Sequence, residues 1–504
     1  MLDMNGVVYL IGAGPGDPGL LTLRGAELLG RCDVVLYDGL SNVELLAHAP
    51  RAQHISVGKH GQTRIWRQDE IIAEMLKHAR AGKTVARLKG GDPAVFARTA
   101  EEVDALKSAD ISFEIVPGIT AALAAGSYAG IPITHRGLAS AVALVTGHEE
   151  PGKSESALDW DALAKFPGTL VIYMGVTTAS TWSQALLDSG KPPGTPVAII
   201  RRCSLPDQQS IHCRLDEVTD RLTPANKFRP PAIVIIGAVT ELAATMDWVQ
   251  KRPLFGQTVL VTRPQDQAEA LARPLRDLGA RVLLQPAICI RPVDDSQDLD
   301  RIIESIGDYD FLVFCSHNGV NHFMKELVAN THLDLRDIRA KIACVGSRTA
   351  QTLSTNYHLR PEFVPDDFRA EALAGMLADH VGGKRVLIVR ASRGKDNLAD
   401  SLSDLGAKVT QVVAYSHTDL TEADPAIKHS VEAGEVDWIT VTSCATADSL
   451  HQMLAGSLAD AKLASLSPVT SERLRELGYE VAAEADPYTI RSLVENIVAQ
   501  QSQP

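Results

Sequence analysis

The sequence lacks the patterns that identify several large classes of protein. Its seven cysteines stand alone, without a CxxC pair or metal-ligand spacing, so we expect neither a disulfide framework nor a bound metal. No run of about 18 apolar residues occurs, and no basic segment precedes the first apolar stretch, so we expect no membrane span and no signal peptide. Unpaired cysteines fit a reducing compartment and predict a cytoplasmic protein.

The sequence also has fewer basic than acidic residues. Lys and Arg total 49 against 62 Asp and Glu, which gives a formal net charge of −13. Nonspecific nucleic-acid binding needs a basic surface that neutralises phosphates, so we expect no nucleic-acid partner. An acidic ligand must then be bound by donors concentrated at one place. The length of 504 residues exceeds what one core holds and predicts a multidomain protein.

Strand-like apolar runs alternate with helical patterns along the chain. Examples are VVYLIGAG, CDVVLYDG, GTLVIYMG and PAIVIIGAV. Such alternation predicts α/β domains built on largely parallel sheets. A charged stretch that contains Pro253 precedes a new strand start at Gly256, so we place the main domain boundary between residues 252 and 253. The first domain is expected to consist of two subdomains, at about 1–136 and 137–252.

The chain beyond this boundary repeats itself. GQTVLVTRPQDQAEALARPLRDLGARV from Gly256 matches GKRVLIVRASRGKDNLADSLSDLGAKV from Gly383, an offset of 383 − 256 = 127 positions. The same offset pairs Ser316 with Ser443. The repeat predicts two related α/β lobes, which normally enclose a ligand cleft. We place the lobes at about 254–290 with 417–500, and at 291–416.

The glycine-rich loop after the first strand admits two interpretations. In VVYLIGAGPGDPGLL, Asp17 stands where a dinucleotide fingerprint has its third glycine. Pro15 and Pro18 remove two amide donors, which makes the loop a poor phosphate cradle. Asp38, at the end of DVVLYD, is spaced like a ribose-binding acid, so a nicotinamide-dependent oxidoreductase stays open as an alternative.

Several motifs follow in a fixed order over about the first 250 residues. They are GAGPGDPGLLTLRGAELL, VGKHG, RLKGGDPAVFARTAEE, VPGITAALAAGSYAGIPITHRG, LVTGHE and LVIYMG. Together they resemble the uroporphyrinogen-III C-methyltransferases, which are S-adenosylmethionine-dependent tetrapyrrole methylases. The resemblance implies a two-subdomain methylase fold that transfers two methyl groups from S-adenosylmethionine to uroporphyrinogen III, giving precorrin-2 for sirohaem or cobalamin. It also implies a homodimer formed through this half.

The resemblance assigns roles to individual residues. The implied S-adenosylmethionine contacts are Pro15, Gly90, Gly91, Asp92, Val95, Thr120, Ala121, Met174, Cys203 and Ala232. Asp38 is the implied base that removes a proton from the macrocycle, and Lys59 the implied proton donor. Local sequence leaves simpler roles open, since Asp38 ends a strand, Lys59 can be a solvated lysine and Cys203 a small packed residue.

The repeated half resembles uroporphyrinogen-III synthase over about residues 254–500. The motifs are VLVTRP, FCSHNGV, ACVGSRTA, VVAYSH, TVTSCATADSL and SPVTSERLRELGYEV. The resemblance implies that this half cyclises hydroxymethylbilane to uroporphyrinogen III, with inversion of the last ring and without a cofactor. Tyr415 is the implied aid to departure of the hydroxyl group, although a tyrosine at a strand end is often a packing residue.

Binding of this substrate needs donors for its carboxylates. Ser and Thr at strand-to-helix turns provide hydroxyls and backbone amides at the positive end of a helix dipole. The expected substrate contacts are Arg263, Ser316, Thr349, Ser443 and Thr470. Ordinary helix capping by the hydroxyls, and pairing of Arg263 with a nearby acid, are the alternatives. A noncatalytic regulatory module is the alternative for the repeated half as a whole.

Overall fold

The computed structural model describes residues 6–58, 66–148, 157–222, 228–330, 332–367, 369–393, 397–454 and 456–501. The chain divides into two compact units. The first comprises Met1–Gly256 with Leu278–Arg281, and the second comprises Gln257–Asp277 with Val282–Pro504. No helix within the described ranges is both long and apolar enough to cross a bilayer.

The first subdomain of the first unit is a parallel sheet flanked by helices. Its strands are β1 (Val7–Gly12), β2 (Val34–Tyr37), β3 (Gln53–Ser56), β4 (Val85–Lys89) and β5 (Ser112–Val116). Its helices are α1 (Leu23–Leu29), α2 (Gln68–Arg80), α3 (Thr99–Ser108) and α4 (Ala121–Tyr128). The strand order is β3-β2-β4-β1-β5, with every pair parallel. The turns that follow β1, β2, β4 and β5 therefore gather at one edge of the sheet.

Strand β1 shows why the strands of this sheet could be predicted from the sequence. Val8 and Leu10 pack into the core on one face, and Ile11 packs into the core on the other. Because helices cover both faces of a parallel sheet, its central strands are continuous apolar runs.

The second subdomain carries a mixed sheet. Its strands are β6 (Val142–Thr146), β7 (Thr169–Tyr173), β8 (Pro196–Arg201), β9 (Gln209–Arg214) and β10 (Ala232–Ile236). Its helices are α5 (Trp160–Ala164), α6 (Ala179–Asp188), α7 (Val218–Arg221) and α8 (Ala243–Met246). The order is β6-β7-β10-β8-β9, and only the β6–β7 pair is parallel. This sheet departs from the expected parallel pattern because β8 and β9 are joined by a short turn, which only antiparallel strands allow.

The second unit contains the remaining elements. Its strands are β11 (Thr258–Val261), β12 (Arg281–Leu284), β13 (Ile288–Pro292), β14 (Phe311–Phe314), β15 (Lys341–Cys344), β16 (Arg385–Ala391), β17 (Lys408–Asp419), β18 (Trp438–Val441), β19 (Lys462–Ser465) and β20 (Val481–Glu484). Its helices are α9 (Gln265–Asp277), α10 (Gln297–Glu304), α11 (His317–Ala329), α12 (Ser347–Tyr357), α13 (Ala370–Leu377), α14 (Asn397–Asp404), α15 (Pro425–Glu432), α16 (Cys444–Leu454), α17 (Pro468–Glu476) and α18 (Ile490–Gln501).

The two sheets of this unit show the sequence repeat as a repeated topology. The first lobe has the order β12-β11-β18-β19-β20, and the second has β13-β17-β16-β14-β15. The repeat matches β11 with β16, β12 with β17, β18 with β14 and β19 with β15, so four strands occupy the same order in both lobes. Strand β13 pairs with β17 from Ile288 to Asp419, which extends the second lobe a few residues beyond the expected 291–416.

The repeated DLGA segment has a physical reason. Gly279 and Gly406 follow α9 and α14, with φ angles of +98° and +85°. This left-handed conformation ends a helix, and glycine adopts it without steric cost. Both lobes therefore retain glycine at the same turn. The α/β fold class expected from the sequence is confirmed in both units.

Candidate active sites

Three glycine turns pack backbone against backbone at the carboxyl edge of the first parallel sheet. A Cβ added to Gly118 would lie 2.2 Å from the carbonyl oxygen of Gly91 and 2.8 Å from the Cα of Gly12. Gly14 and Gly91 exchange two backbone hydrogen bonds, of 3.1 and 2.8 Å. Their φ angles are +75° and +70°. The motif glycines are therefore required by close approach and by left-handed backbone.

Asp92 fixes the relative position of these turns. Its Oδ2 accepts the N–H of Gly118 at 2.9 Å, and its Oδ1 accepts the N–H of Ala94 at 2.7 Å. Oδ1 thus closes the turn after β4, and Oδ2 ties that turn to the one after β5. Asp92 shapes the surface that its neighbours Gly90 and Val95 present.

A tyrosine joins this edge to the second subdomain of the same unit. The hydroxyl oxygen of Tyr173 lies 2.7 Å from Thr120 Oγ1 and accepts the N–H of Ala122 at 3.0 Å. The next residue, Met174, has a φ of +54° and is 49% exposed. Because Ala121 lies between Thr120 and Ala122, the structure brings Thr120, Ala121 and Met174 into one place.

Cys203 lies beside the same place but is closed to solvent. Its Sγ is 3.9 Å from the carbonyl oxygen of Ala121, and the residue is 6% exposed. Burial raises the pKa of Cys203 to about 12. A thiol in this state is not a nucleophile near neutral pH, and the packed-residue interpretation fits it.

Of the remaining predicted cofactor contacts, some lie near Cys203 and others do not. Val95 and Ala121 pack against the cluster that contains Cys203. Ala232 packs instead with the cluster on the other face of the mixed sheet, so its side chain is not brought to the same place. Pro15 is half-buried in the turn between Gly14 and Gly16.

Asp17 fixes the conformation of the glycine-rich loop after β1 through three hydrogen bonds. Its N–H donates to Ser204 Oγ at 3.0 Å, its Oδ1 accepts the N–H of Gly19 at 2.8 Å, and its Oδ2 accepts the hydroxyl of Tyr128 at 2.8 Å. The residue at the third-glycine position thus ties the loop to two distant segments. A dinucleotide loop needs free amides at the start of a helix there, so this geometry disfavours the oxidoreductase alternative.

Asp38 is the exposed end of a buried charge network. Its Oδ1 lies 2.6 Å from Arg87 Nη2, and its side chain is 29% exposed. Arg87 Nε also contacts Glu102 Oε1 at 3.1 Å, and Lys89 Nζ lies 2.5 Å from Glu102 Oε2. Glu102 is fully buried. The ion pair with Arg87 holds the Asp38 carboxylate in place at the edge of the sheet.

The network around Asp38 was missed in the sequence. Arg87 and Lys89 stand two residues apart in the buried strand VARLK, hence on one face. Two buried cations on one face require a buried acid, which is the signal that points to Glu102. Lys59, the predicted proton donor, lies outside the described residues.

Tyr415 is the centre of the second unit's polar cluster. Its hydroxyl oxygen lies 2.8 Å from Ser316 Oγ, and the residue is 2% exposed. Ser316 Oγ also accepts the N–H of Gly319 at 3.0 Å, which caps α11. The rings of His322 and His417 flank Tyr415 at centroid distances of 5.5 and 5.0 Å. Burial raises the pKa of Tyr415, so its hydroxyl keeps its proton over the neutral range.

A cavity of about 220 Å³ lies beside this cluster in the second lobe. Its polar lining includes Ser316, Arg390, Arg393, Gln411 and His417. Arg390 Nη1 donates to Gln411 Oε1 at 2.7 Å. Pockets for drug-sized ligands measure roughly 300–1,000 Å³, so this cavity has room for part of a tetrapyrrole only.

The predicted hydroxyl contacts lie at the starts of helices that follow strands, and the hydroxyls of Ser316, Ser443 and Thr470 hydrogen-bond to other side chains of the protein. Ser443 Oγ accepts the N–H three residues later at 3.2 Å, as Ser316 does in the other lobe. Thr349 and Thr470 are only 5% and 2% exposed. The cap of α17 is Ser467, whose Oγ accepts the N–H of Thr470 at 3.4 Å. Helix capping therefore accounts for Ser316 and Ser443, whereas Thr349 and Thr470 are buried in the first turns of their helices and cap neither.

Hydrogen bonds link Arg263 through Gln267 to Asn318 across the two lobes. Arg263 Nη2 donates to Gln267 Oε1 at 2.9 Å, and Gln267 Nε2 donates to Asn318 Oδ1 at 3.2 Å. Asn318 lies near the Tyr415 hydroxyl and lowers its pKa, against the effect of burial. Arg263 and Gln267 belong to the first lobe, whereas Asn318 and Tyr415 belong to the second.

Comparison with known proteins decides the family. Residues 7–219 match the family of tetrapyrrole (corrin/porphyrin) methylases, and residues 269–495 match the uroporphyrinogen-III synthase family HemD. The porphyrin biosynthesis protein HemD of Ruminiclostridium josui is 35% identical over 493 residues, which cover 97% of this chain and 95% of that protein. The chain belongs to the tetrapyrrole methylase and uroporphyrinogen-III synthase families. The predicted fusion of a methylase half with a synthase half is thereby confirmed.

Two further relatives match the methylase half. The S-adenosyl-L-methionine-dependent uroporphyrinogen III methyltransferase of Methanosarcina barkeri is 46% identical over 238 residues, which cover 47% of this chain and 93% of that protein. The siroheme synthase of Zymomonas mobilis is 46% identical over 248 residues, which cover 49% of this chain and 52% of that protein. The chain thus carries a methyltransferase domain and a uroporphyrinogen-III synthase domain.

Proposed function

We propose that the chain is a bifunctional enzyme of tetrapyrrole biosynthesis. The synthase half cyclises hydroxymethylbilane to uroporphyrinogen III, and the methylase half methylates that product twice to precorrin-2. The observation that carries the proposal is the joining of the two families in one chain, over the length of a porphyrin biosynthesis relative. The product of one domain's reaction is the substrate of the other's.

S-adenosylmethionine supplies the methyl group when bound. The residues present fit such a group, since packed glycine turns and the exposed Met174 form an open edge between the two subdomains of the methylase half. Pro15, Gly91, Thr120 and Ala121 would hold the cofactor there, largely through backbone groups. Methyl transfer is an in-line displacement, so rigid positioning is the main contribution that these turns make.

Asp38 is the proposed base of the methylase half. Loss of a proton from the macrocycle requires an acceptor that is accessible yet fixed. Its partial exposure and the 2.6 Å ion pair with Arg87 support this assignment. Lys59 as proton donor remains a proposal based on the family resemblance.

Tyr415 is the proposed acid of the synthase half. Its hydroxyl is protonated, is oriented by Ser316 and borders the 220 Å³ cavity. Hydroxymethylbilane loses a hydroxyl as the ring closes, and a proton donor at that oxygen makes the departure easier. The cavity is the size of one pyrrole unit or side chain rather than of the whole bilane.

We further infer a cytoplasmic homodimer, formed through the methylase half, that serves sirohaem or cobalamin synthesis. The siroheme synthase relative supports the sirohaem branch. The net charge of −13 supports small anionic ligands bound at local cationic sites over a nucleic-acid partner. Light scattering of the purified chain tests the dimer.

Two separate anaerobic assays test the proposed function. Hydroxymethylbilane without cofactor should give the type III isomer of uroporphyrinogen. Supplied uroporphyrinogen III with S-adenosylmethionine should give a dimethylated product, identified by mass and by the methylated positions. Type I isomer alone in the first assay would favour the alternative of a noncatalytic regulatory second half.

A further inference from the structure

Four residues of the methylase half form a closed ring of hydrogen bonds. The N–H of Asp17 donates to Ser204 Oγ at 3.0 Å, and the N–H of Ser204 donates to Gln208 Oε1 at 3.0 Å. Gln208 Nε2 donates to the carbonyl oxygen of Tyr128 at 3.1 Å, and the Tyr128 hydroxyl donates to Asp17 Oδ2 at 2.8 Å. Each residue of this hydrogen-bond ring therefore contacts two of the others.

The hydrogen-bond ring joins the two subdomains of the methylase half. Asp17 lies in the loop after β1, and Tyr128 is the last residue of α4, both in the first subdomain. Ser204 and Gln208 lie in the turn between β8 and β9 of the second subdomain. Gln208 is 3% exposed, and its amide nitrogen bonds across to Tyr128. Displacement of one subdomain would leave this buried amide without its partner, which costs free energy.

The same turn packs against a loop that carries a predicted cofactor contact. A Cβ added to Gly16, which follows Pro15, would lie 2.8 Å from Leu205 Cγ. Arg202 and Ser204 have φ angles of +51° and +68°, a left-handed conformation that costs energy in residues other than glycine. Such strain persists only where the surroundings hold the backbone. The hydrogen-bond ring and the contact of Leu205 with Gly16 supply that restraint.

Tyr128 is held by its aromatic side chain as well as by its hydroxyl. Burial and the hydrogen bond to Asp17 raise the pKa of Tyr128, so the hydroxyl stays protonated and donates over the neutral range. Trp248 contacts the Tyr128 side chain at a centroid distance of 5.4 Å, and Trp248 Nε1 donates to the carbonyl oxygen of Ser127 at 2.9 Å. The end of α4 is therefore a fixed point to which the β8–β9 turn is tied.

We propose that Tyr128, Ser204 and Gln208 are positioning residues that hold the two subdomains at the spacing that S-adenosylmethionine binding requires. The inference rests on the proposed methylase function. The proposed cofactor contacts come from both subdomains, with Ala121 in the first and Met174 in the second. A broken hydrogen-bond ring lowers the fraction of molecules that have the required spacing, and the apparent affinity for the cofactor falls in proportion.

The test measures calorimetric binding of S-adenosylhomocysteine, the product of methyl transfer, to the full chain, which needs no turnover. Gln208→Ala removes two bonds of the hydrogen-bond ring and should raise Kd at least about tenfold. Ser204→Ala and Tyr128→Phe each remove one bond and should raise Kd by about three- to tenfold. The matched control is Ser183→Ala on the other face of the mixed sheet, which removes a buried hydroxyl 3.3 Å from Thr219 Oγ1 and should leave Kd unchanged.

A double variant separates the hydrogen-bond ring from independent contacts. Ser204→Ala and Tyr128→Phe open the same ring, so the second change should add little to the first. The Kd of the double variant should lie within about twofold of that of the more affected single variant. Contacts that act independently would instead give a Kd increase equal to the product of the two single increases.

Folding and function are controlled separately. Binding is measured well below the unfolding temperature of every variant, and cyclisation of hydroxymethylbilane should be the same in all of them. If Gln208→Ala fails to fold, Ser204→Ala and Tyr128→Phe decide. Increases in Kd no larger than that of Ser183→Ala, or increases that multiply in the double variant, overturn the inference. An unaltered chain that binds S-adenosylhomocysteine but does not methylate uroporphyrinogen III overturns the proposed function instead.

Discussion

The candidate site of the methylase half is formed mainly by backbone, whereas that of the synthase half is formed mainly by side chains. In the methylase half the edge of the sheet is shaped by backbone, with Gly12, Gly91 and Gly118 in direct contact. In the synthase half the site consists of side-chain hydrogen bonds, from Arg263 through Gln267 to Asn318 and between Tyr415 and Ser316. Backbone packing tolerates almost no substitution, whereas a network of side chains can lose one member at graded cost.

This difference explains why the methylase motifs are easily recognised in the sequence. A turn that needs glycine at a fixed position leaves that glycine in the sequence. Hydrogen-bonding side chains can be contributed from many positions, and the partners Gln267 and Asn318 are 51 residues apart. The comparison predicts that single substitutions in the methylase half have larger effects than those in the synthase half.

The largest effect is expected for Gly118→Ala. The added Cβ would lie 2.2 Å from the carbonyl oxygen of Gly91, so the two turns must separate. We expect dimethylation of supplied uroporphyrinogen III to fall by more than about a hundredfold, since misplaced cofactor contacts lose most of the benefit of positioning. Gly194→Ala, whose Cβ meets nothing within 4 Å, is the matched control. Normal methylation by the Gly118 variant would show that the turns do not hold the cofactor.

The next effect is expected for Asp38→Asn. The amide keeps the shape but cannot accept the proton, so methylation should slow by about a hundred- to thousandfold, while synthase activity is retained. Asp69→Asn, an exposed aspartate on α2, serves as control. An Asp38→Asn variant with more than about a tenth of the original rate would exclude the base role.

Tyr415→Phe is expected to slow the synthase by about tenfold to a hundredfold. The effect is modest because the bilane is itself reactive and because the substitution leaves the rest of the binding site in place. The Tyr357→Phe variant is matched, because its hydroxyl makes only 3.5 Å contacts to Asn321 in the same lobe. Rates are measured as formation of the type III isomer, and equal rates in the two variants would contradict the acid assignment.

The smallest effect is expected for Cys203→Ala. Its buried thiol, with a pKa raised to about 12, remains protonated at pH 8, so alkylation of the folded protein should not modify it. Methylation should change by less than about threefold, as for a small core truncation. Loss of most activity, or rapid alkylation at Cys203, would contradict the interpretation of Cys203 as a packed residue.

The sequence predicted the fold well where local rules decide it. The apolar strands of both units and the repeated lobes follow from periodicity and from the offset of 127 positions. The mixed sheet of the second subdomain did not follow, because strand direction depends on which distant strand becomes the neighbour. The same holds for β13, which joins the second lobe by pairing with β17.

The candidate sites were predicted in part. Tyr415 and Ser316 were both proposed, and the structure places them 2.8 Å apart although they are 99 residues apart in sequence. Thr470 was proposed where Ser467 is the cap, since the sequence does not show which of two neighbouring hydroxyls starts the helix. Nothing local distinguishes Gln267 or Asn318, whose hydrogen bond forms only where the two lobes meet.

The most direct test of the account is a single anaerobic incubation of the full chain with hydroxymethylbilane and S-adenosylmethionine. The account predicts that the unaltered chain forms dimethylated type III product and that the Gly118→Ala variant accumulates uroporphyrinogen III. In the Tyr415→Phe variant, uroporphyrinogen III and the dimethylated product should both form more slowly. Type I uroporphyrinogen as the only cyclised product, with normal methylation of supplied uroporphyrinogen III, would contradict the claim that both halves are catalytic.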